Sequence, residues 1–146
     1  MIALIQRVSA AEVQVGSERV GAIGRGVLAL IGVQRGDDTP AGARLLERIL
    51  SYRVFPDGAG RMNLSLREVG GGLLLVPQFT LAADTGKGTR AGFSTAAAPQ
   101  EAQRLFADLL ARAQAAYAPV SAGVFGAHMQ VSLVNDGPVT FLLTTR

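Results

Sequence analysis

Apolar and polar residues alternate from Ile2 to Ala10 and from Glu12 to Val15, and Arg19 to Ile23 repeats the pattern after Gly16 and Ser17. A period of two belongs to strands with one buried face, so the amino-terminal quarter is predicted to be a strand meander. Val27 to Val33 is almost wholly apolar and follows the Gly24-Arg25-Gly26 turn, as expected of a strand covered on both faces. The period then changes. Asp38, Thr39 and Pro40 form a helix start, a capping carboxylate followed by a proline where no backbone donor is lost. Behind them Leu45, Leu46, Ile49 and Leu50 fall on one helical face.

A turn is predicted around Asp57, Gly58 and Gly60, and Gly70-Gly71-Gly72 leads into a buried strand from Leu73 to Val76. Asp84 to Gly92 reads as a polar, glycine-rich loop. Pro99 opens a second helix with a stripe of Leu105, Phe106, Leu109, Leu110 and Ala113, and Pro119 marks its end. Ala127 to Val134 and Val139 to Thr144 complete the chain as two strands, with Asn135-Asp136-Gly137-Pro138 as a hairpin turn between them. The expected fold is α+β: mixed or antiparallel sheets, barrel-like or two-layered, covered by two helices in one domain spanning residues 1–146.

Composition narrows what such a domain does. With 49% hydrophobic and 17% charged residues the chain is no disordered segment, and the apolar surplus has room to line a subunit interface. No apolar run approaches the roughly 20 residues that span a bilayer. The opening MIALIQRVSA carries Arg7 within an alternating strand and does not read as a secretion signal, so a cytoplasmic location and no membrane partner are expected. Cysteine is absent and His128 is the single histidine, which argues against a metal site and leaves no cofactor to expect. The net charge of +3 permits an anionic partner without requiring one.

The familiar signatures of catalysis fail. Gly86-Lys87-Gly88-Thr89 has Leu81 where a phosphate loop needs its first glycine, and Gly21, Gly24 and Gly26 precede a strand with the dinucleotide spacing reversed. A triad would depend on His128, which sits in an alternating apolar stretch and reads as structural, and no serine stands at a nucleophile elbow. The eleven acids scatter over turns and helix faces.

Four segments carry a different signal: Gln6-Arg7-Val8, Met62-Asn63-Leu64, Pro77-Gln78-Phe79-Thr80-Leu81, and Asn135-Asp136-Gly137-Pro138-Val139-Thr140. In combination and spacing, from Met1 to about Thr144, they resemble the D-aminoacyl-tRNA deacylase family, also described as D-tyrosyl-tRNA(Tyr) deacylases. The resemblance implies an editing hydrolase that frees tRNA from D-amino acids, and from glycine on noncognate tRNA, while rejecting L-aminoacyl-tRNA. It implies a homodimer in which Gln78, Phe79 and Thr80 form the catalytic segment. Gly137 and Pro138, joined by a cis peptide, enter the partner's pocket with Asn135, Arg7 and Met129 in support. Lys87 and Arg90, on the flexible loop, are then expected to meet the tRNA acceptor end.

Three positions depart from the family pattern: Pro77 stands where serine is usual, Ala91 where proline is common and His128 where aspartate is common. Two other readings stay open on the residues alone. One is a noncatalytic tRNA- or RNA-binding module, weakened by the few aromatics available for base stacking. The other is an esterase for small D-amino acid esters.

Overall fold

A computed structural model describes every residue from Met1 to Arg146. β1 (Ile2–Val15) is one strand where alternation predicts two. Along one edge it pairs antiparallel with β8 (Gln130–Thr144). Along the other it pairs first with β3 (Gly26–Gly32) and then with β2 (Glu18–Ile23), both antiparallel. The break in alternation near its middle has a cause. Register shifts against β8 occur between Gln6 and Val8 and again between Val8 and Ala10. A slip in register moves side chains to the opposite face. Ala3 and Ile5 belong to the core beneath the helices, and Val8 faces away from it by ordinary alternation. The extra β1 residue between Val8 and Ala10 then keeps Ala11 and Val13 with Val8 in a second core with Leu28, Leu74 and Val76.

The apolar run from Val27 to Val33 behaves as predicted, with Val27, Ala29 and Ile31 on the helix side and Leu28 on the other. Beyond β3 the sheet turns parallel: β6 (Gly72–Pro77) lies beside β3, and β7 (Val120–Ala122) lies beside β6. Parallel neighbours need crossovers, and the two long helices supply them. α1 (Thr39–Ser51) starts at the predicted cap, the Asp38 carboxylate accepting from Ala41 N at 2.9 Å. α3 (Pro99–Ala116) carries Leu105, Phe106 and Leu109 into the same core as Leu45, Ile49 and Leu50 of α1.

Between α1 and β6, the predicted turn at Asp57 joins a short hairpin, β4 (Arg53–Pro56) and β5 (Met62–Ser65), followed by one helical turn, α2 (Leu66–Val69). Asp57 Oδ1 accepts from Ala59 N and Arg61 N, and its Oδ2 accepts from Asn63 Nδ2, so one carboxylate shapes the whole turn. Neither β5, α2 nor β7 is evident from periodicity. The sheet curls until its ends meet: Ser121 Oγ of β7 donates to Ala22 O of β2 at 3.1 Å, making the sheet nearly a barrel. No helix is long and apolar enough to cross a membrane.

The carboxyl-terminal region departs from the sequence expectation. Strand structure begins at Gln130, not Ala127, and Asn135-Asp136-Gly137-Pro138 is not a hairpin turn. The residues before and after it both run antiparallel to β1, so the chain does not reverse. Gln6 faces Thr140 and Val8 faces Asn135, which leaves Arg7 alone opposite Asp136, Gly137, Pro138 and Val139. The segment is a wide bulge in one long strand.

β3 and β6 approach at a pair of glycines. A Cβ on Gly26 would stand 1.9 Å from the carbonyl oxygen of Gly72, whereas one on Gly24 would meet nothing within 4 Å. Gly26→Ala is expected to lower unfolding free energy by about 3 kcal/mol or more, because rigid backbone must move apart. Gly24→Ala should leave the urea midpoint nearly unchanged, and comparing the two midpoints checks this.

Candidate functional site

Pro77 closes β6, and lacking an N–H it cannot extend a ladder. Gln78 makes the last link to the sheet, its amide donating to Ile31 O at 2.8 Å. The chain then winds into a single 3-10 turn, Phe79–Ala82. Leu81 N donates to Gln78 O and Ala83 N to Thr80 O. The first amides of such a turn, those of Phe79 and Thr80, are the ones helical geometry leaves without an internal acceptor. Gln78 Nε2 donates to Thr80 Oγ1, tying the two side chains together. Phe79 is 58% exposed.

Beside this turn opens a cleft of about 450 Å³ between β6, the start of α3 and the segment before β8. Gln78, Phe79, Pro99, Phe125 and Met129 are among its walls, and the Met129 sulfur accepts from Val124 N at 3.4 Å. His128 is the single ionisable side chain in the lining, and it lies exposed in a loop, not in the strand expected from alternation.

A second group forms at the bulge. Arg7 Nε donates to Asp136 O at 3.0 Å and lies 3.5 Å from Asp136 Oδ2, while Arg7 Nη1 donates to Val54 O at 2.7 Å. Only 13% of the Arg7 side chain is exposed, so this arginine is neither free nor solvent-facing. Asn135 spans the bulge from within: its Oδ1 accepts from Val139 N at 3.1 Å and its Nδ2 donates to Thr140 Oγ1 at 2.8 Å. The Gly137–Pro138 peptide is cis, as is Ala118–Pro119. Gly137 has a φ of 132°, and a Cβ there would stand 2.8 Å from Val139 Cγ2 and 3.1 Å from Arg7 Nη2. Both the conformation and the space demand glycine.

Lys87 and Arg90 project from a loop closed at its base by paired hydrogen bonds between Asp84 and Gly92, at 2.8 and 2.9 Å. Both are exposed and neither forms an ion pair.

Comparison with known proteins places the chain in a family. The family described as D-Tyr-tRNA(Tyr) deacylase matches residues 4–144. The chain belongs to that family. A protein of Thioalkalivibrio sulfidiphilus named D-aminoacyl-tRNA deacylase is 67% identical over 143 residues, 98% of this chain and 96% of its own. One of the same name from Alkalilimnicola ehrlichii is 64% identical over 146 residues, covering 100% of this chain and 97% of its own. The solved structure of the c-Myc DNA Unwinding Element Binding Protein superposes with a TM-score of 0.93 at 37% identity, covering 98% of this chain and 97% of that one. Identity of this degree over the whole length makes the chain a hydrolase of the deacylase family.

In this deacylase the residues expected to act together fall into three places. Gln78, Phe79 and Met129 share the cleft, with Thr80 bonded to Gln78 at its edge. Arg7, Asn135, Gly137 and Pro138 sit together on the β1–β8 ladder, and none of them lines that cleft. Lys87 and Arg90 occupy the loop that follows the 3-10 turn. Sequence reasoning did not find Pro99 and Phe125 as cleft walls, because one reads only as a helix start and the other lies in an aperiodic stretch. It also missed Phe93, whose ring centroid is 5.2 Å from that of Phe79.

Asn135→Ala removes both side-chain bonds across the bulge. A loss of about 1–2 kcal/mol is expected from the unpaired Val139 amide and the deleted donor. Hydrogen exchange should quicken at Val139 and stay unchanged at Gln78, which exchange measured by NMR checks.

Proposed function

We propose that this protein hydrolyses the ester of D-aminoacyl-tRNA in the cytoplasm, acting through residues 1–146 as one domain and assembling as a homodimer. The observation that carries the reading is an apolar cleft, large enough for an aminoacylated terminal nucleoside, bordered by the leading amides of the Phe79–Ala82 turn. Those N–H groups are suited to hold a developing oxyanion. Water adds to the polarised ester carbonyl, the acyl–oxygen bond to the ribose breaks, and a proton passes to the departing ribose oxygen. The neighbouring ribose hydroxyl is the group placed to assist that proton. Thr80 is not assigned as a nucleophile: its hydroxyl accepts from Gln78 Nε2, and an amide activates nothing as a base. Positioning and carbonyl polarisation carry the acceleration, since an aminoacyl ester is already labile.

Selection against L-amino acids is assigned to the Gly137–Pro138 loop of a second copy. That loop is exposed, and in one chain it does not line the cleft. Its main-chain carbonyls are suited to accept from the substrate ammonium, and its bulk leaves no room on the L side of the α-carbon. Glycine has no side chain to exclude, so glycyl-tRNA passes the same filter. β8 favours the pairing of copies, because its far edge has no strand partner and Val134 and Leu142, each 59% exposed, punctuate it with apolar surface. Lys87 and Arg90 are assigned to phosphates of the acceptor end, without a cofactor.

Purified protein, with chelator present, is expected to deacylate D-tyrosyl-tRNA and leave L-tyrosyl-tRNA intact, as followed by acid-precipitable label. Loss of both would remove the chiral filter. Loss of neither, with tRNA still bound, would leave a binding module, and cleavage of free D-tyrosine esters irrespective of tRNA would indicate a small-molecule esterase.

The double variant Lys87→Ala, Arg90→Ala should weaken tRNA binding and flatten its salt dependence. Each lost contact to single-stranded phosphate lowers the log–log slope by about 0.7. Filter binding across a salt series tests it, and an unchanged slope rejects the assignment.

A further inference from the structure

Eight aromatic residues occur in this chain. Phe55 and Phe106 are buried, and Tyr52, Tyr117, Phe125 and Phe141 are half-buried against the main core. The other two, Phe79 and Phe93, are 58% and 47% exposed, and they lie against each other with ring centroids 5.2 Å apart and planes inclined by 39°. Scattered apolar side chains on a surface need no explanation, but two adjoining exposed rings beside a substrate cleft do.

Phe93 is fixed from both sides. The Asp84–Gly92 hydrogen bonds close the loop immediately before it. After it, Ala96 N donates to Phe93 O at 3.1 Å, Thr95 Oγ1 donates to Ala82 O at 2.6 Å, and Arg35 N donates to Thr95 O at 3.0 Å. The ring is thus held at the surface by a segment anchored to the 3-10 turn and to the chain just after β3. It stands one ring beyond the cleft wall, with Lys87 and Arg90 on the loop that precedes it. The nearest acid on that loop, Asp84, has Oδ1 occupied by Gly86 N at 2.9 Å. A fixed aromatic face next to unpaired cations is what an unpaired nucleic-acid strand requires, because every base has a face to stack and every step carries a phosphate.

We infer that Phe93 is the stacking platform for the nucleobase immediately preceding the esterified nucleotide at the unpaired 3′ end of the tRNA. The inference rests on the deacylase reading above. In it, Phe79 separates two nucleotides: the terminal one enters the cleft, and the penultimate base lies on the outer face of Phe93. Lys87 and Arg90 then meet the phosphates of that step.

The test places 2-aminopurine at the penultimate position of uncharged tRNA and follows its fluorescence, alongside KM and kcat for D-tyrosyl-tRNA. Wild-type protein and Phe93→Tyr should quench the probe on binding, because both present a ring. Phe93→Leu and Phe93→Ala should not quench it, and their KM should rise about tenfold, the scale of one lost base–aromatic stack, with kcat changing far less. Quenching that survives in Phe93→Ala overturns the inference, as does a leucine that serves as well as phenylalanine. A sedimentation profile that shifts in Phe93→Ala also overturns it, since the ring would then cover a subunit contact. Melting curves matching wild type confirm that the variants are folded. Wild-type protein that quenches the probe yet leaves D-tyrosyl-tRNA intact counts against the deacylase reading and not against the platform.

Discussion

β1 is hydrogen-bonded along both edges, to β8 on one side and to β3 and then β2 on the other. A strand paired in this way cannot shift without breaking two ladders, so its register fixes that of its neighbours. It contributes side chains to the core under the helices with its first half and to the second core with its later half. The change of face occurs between Val8 and Ala11, where β1 carries one extra residue against β8. The wide bulge of β8 stands just before that point, opposite Arg7.

Both parts of the candidate site arise where regular pairing ends. On β6 it ends at Pro77, and the chain, still tethered by Gln78 to Ile31, winds into the turn that exposes Phe79. On β8 it lapses between Asn135 and Thr140, and the freed groups are taken up by Arg7 and by the Asn135 side chain. In each case rigid sheet carries a short irregular segment. This is the usual division between a scaffold that positions and a loop that acts.

Much of the fold was legible because its elements are long and strongly patterned. The Asp38 cap, the α1 and α3 stripes and the apolar run of β3 each give a local signal that tertiary structure does not override. The short β5, α2 and β7 gave none, since three or four residues hold too little period to read. The bulge was misread for a different reason: Asn135-Asp136-Gly137-Pro138 has the composition of a reverse turn, and only pairing with the distant β1 shows that the chain runs straight on. At the site, Gln78, Phe79 and Gly137 stood out through family resemblance. Nothing local distinguished Phe93 from a core aromatic, because exposure is a property of the folded surface. The expectation that exposed aromatics suited to base stacking are lacking did not hold, because Phe79 and Phe93 are both exposed and adjoin.

The bulge at residues 136 to 139 is bounded on both sides by paired residues of the same strand. Of the groups it presents, the carbonyl of Asp136 and the amide of Val139 belong to the main chain, and their partners are Arg7 and Asn135. The main-chain atoms that the bulge presents are thus held by side chains outside it, while its own side chains tie it down in turn, the Asp136 carboxylate to Arg7 and the Val139 side chain to the main core.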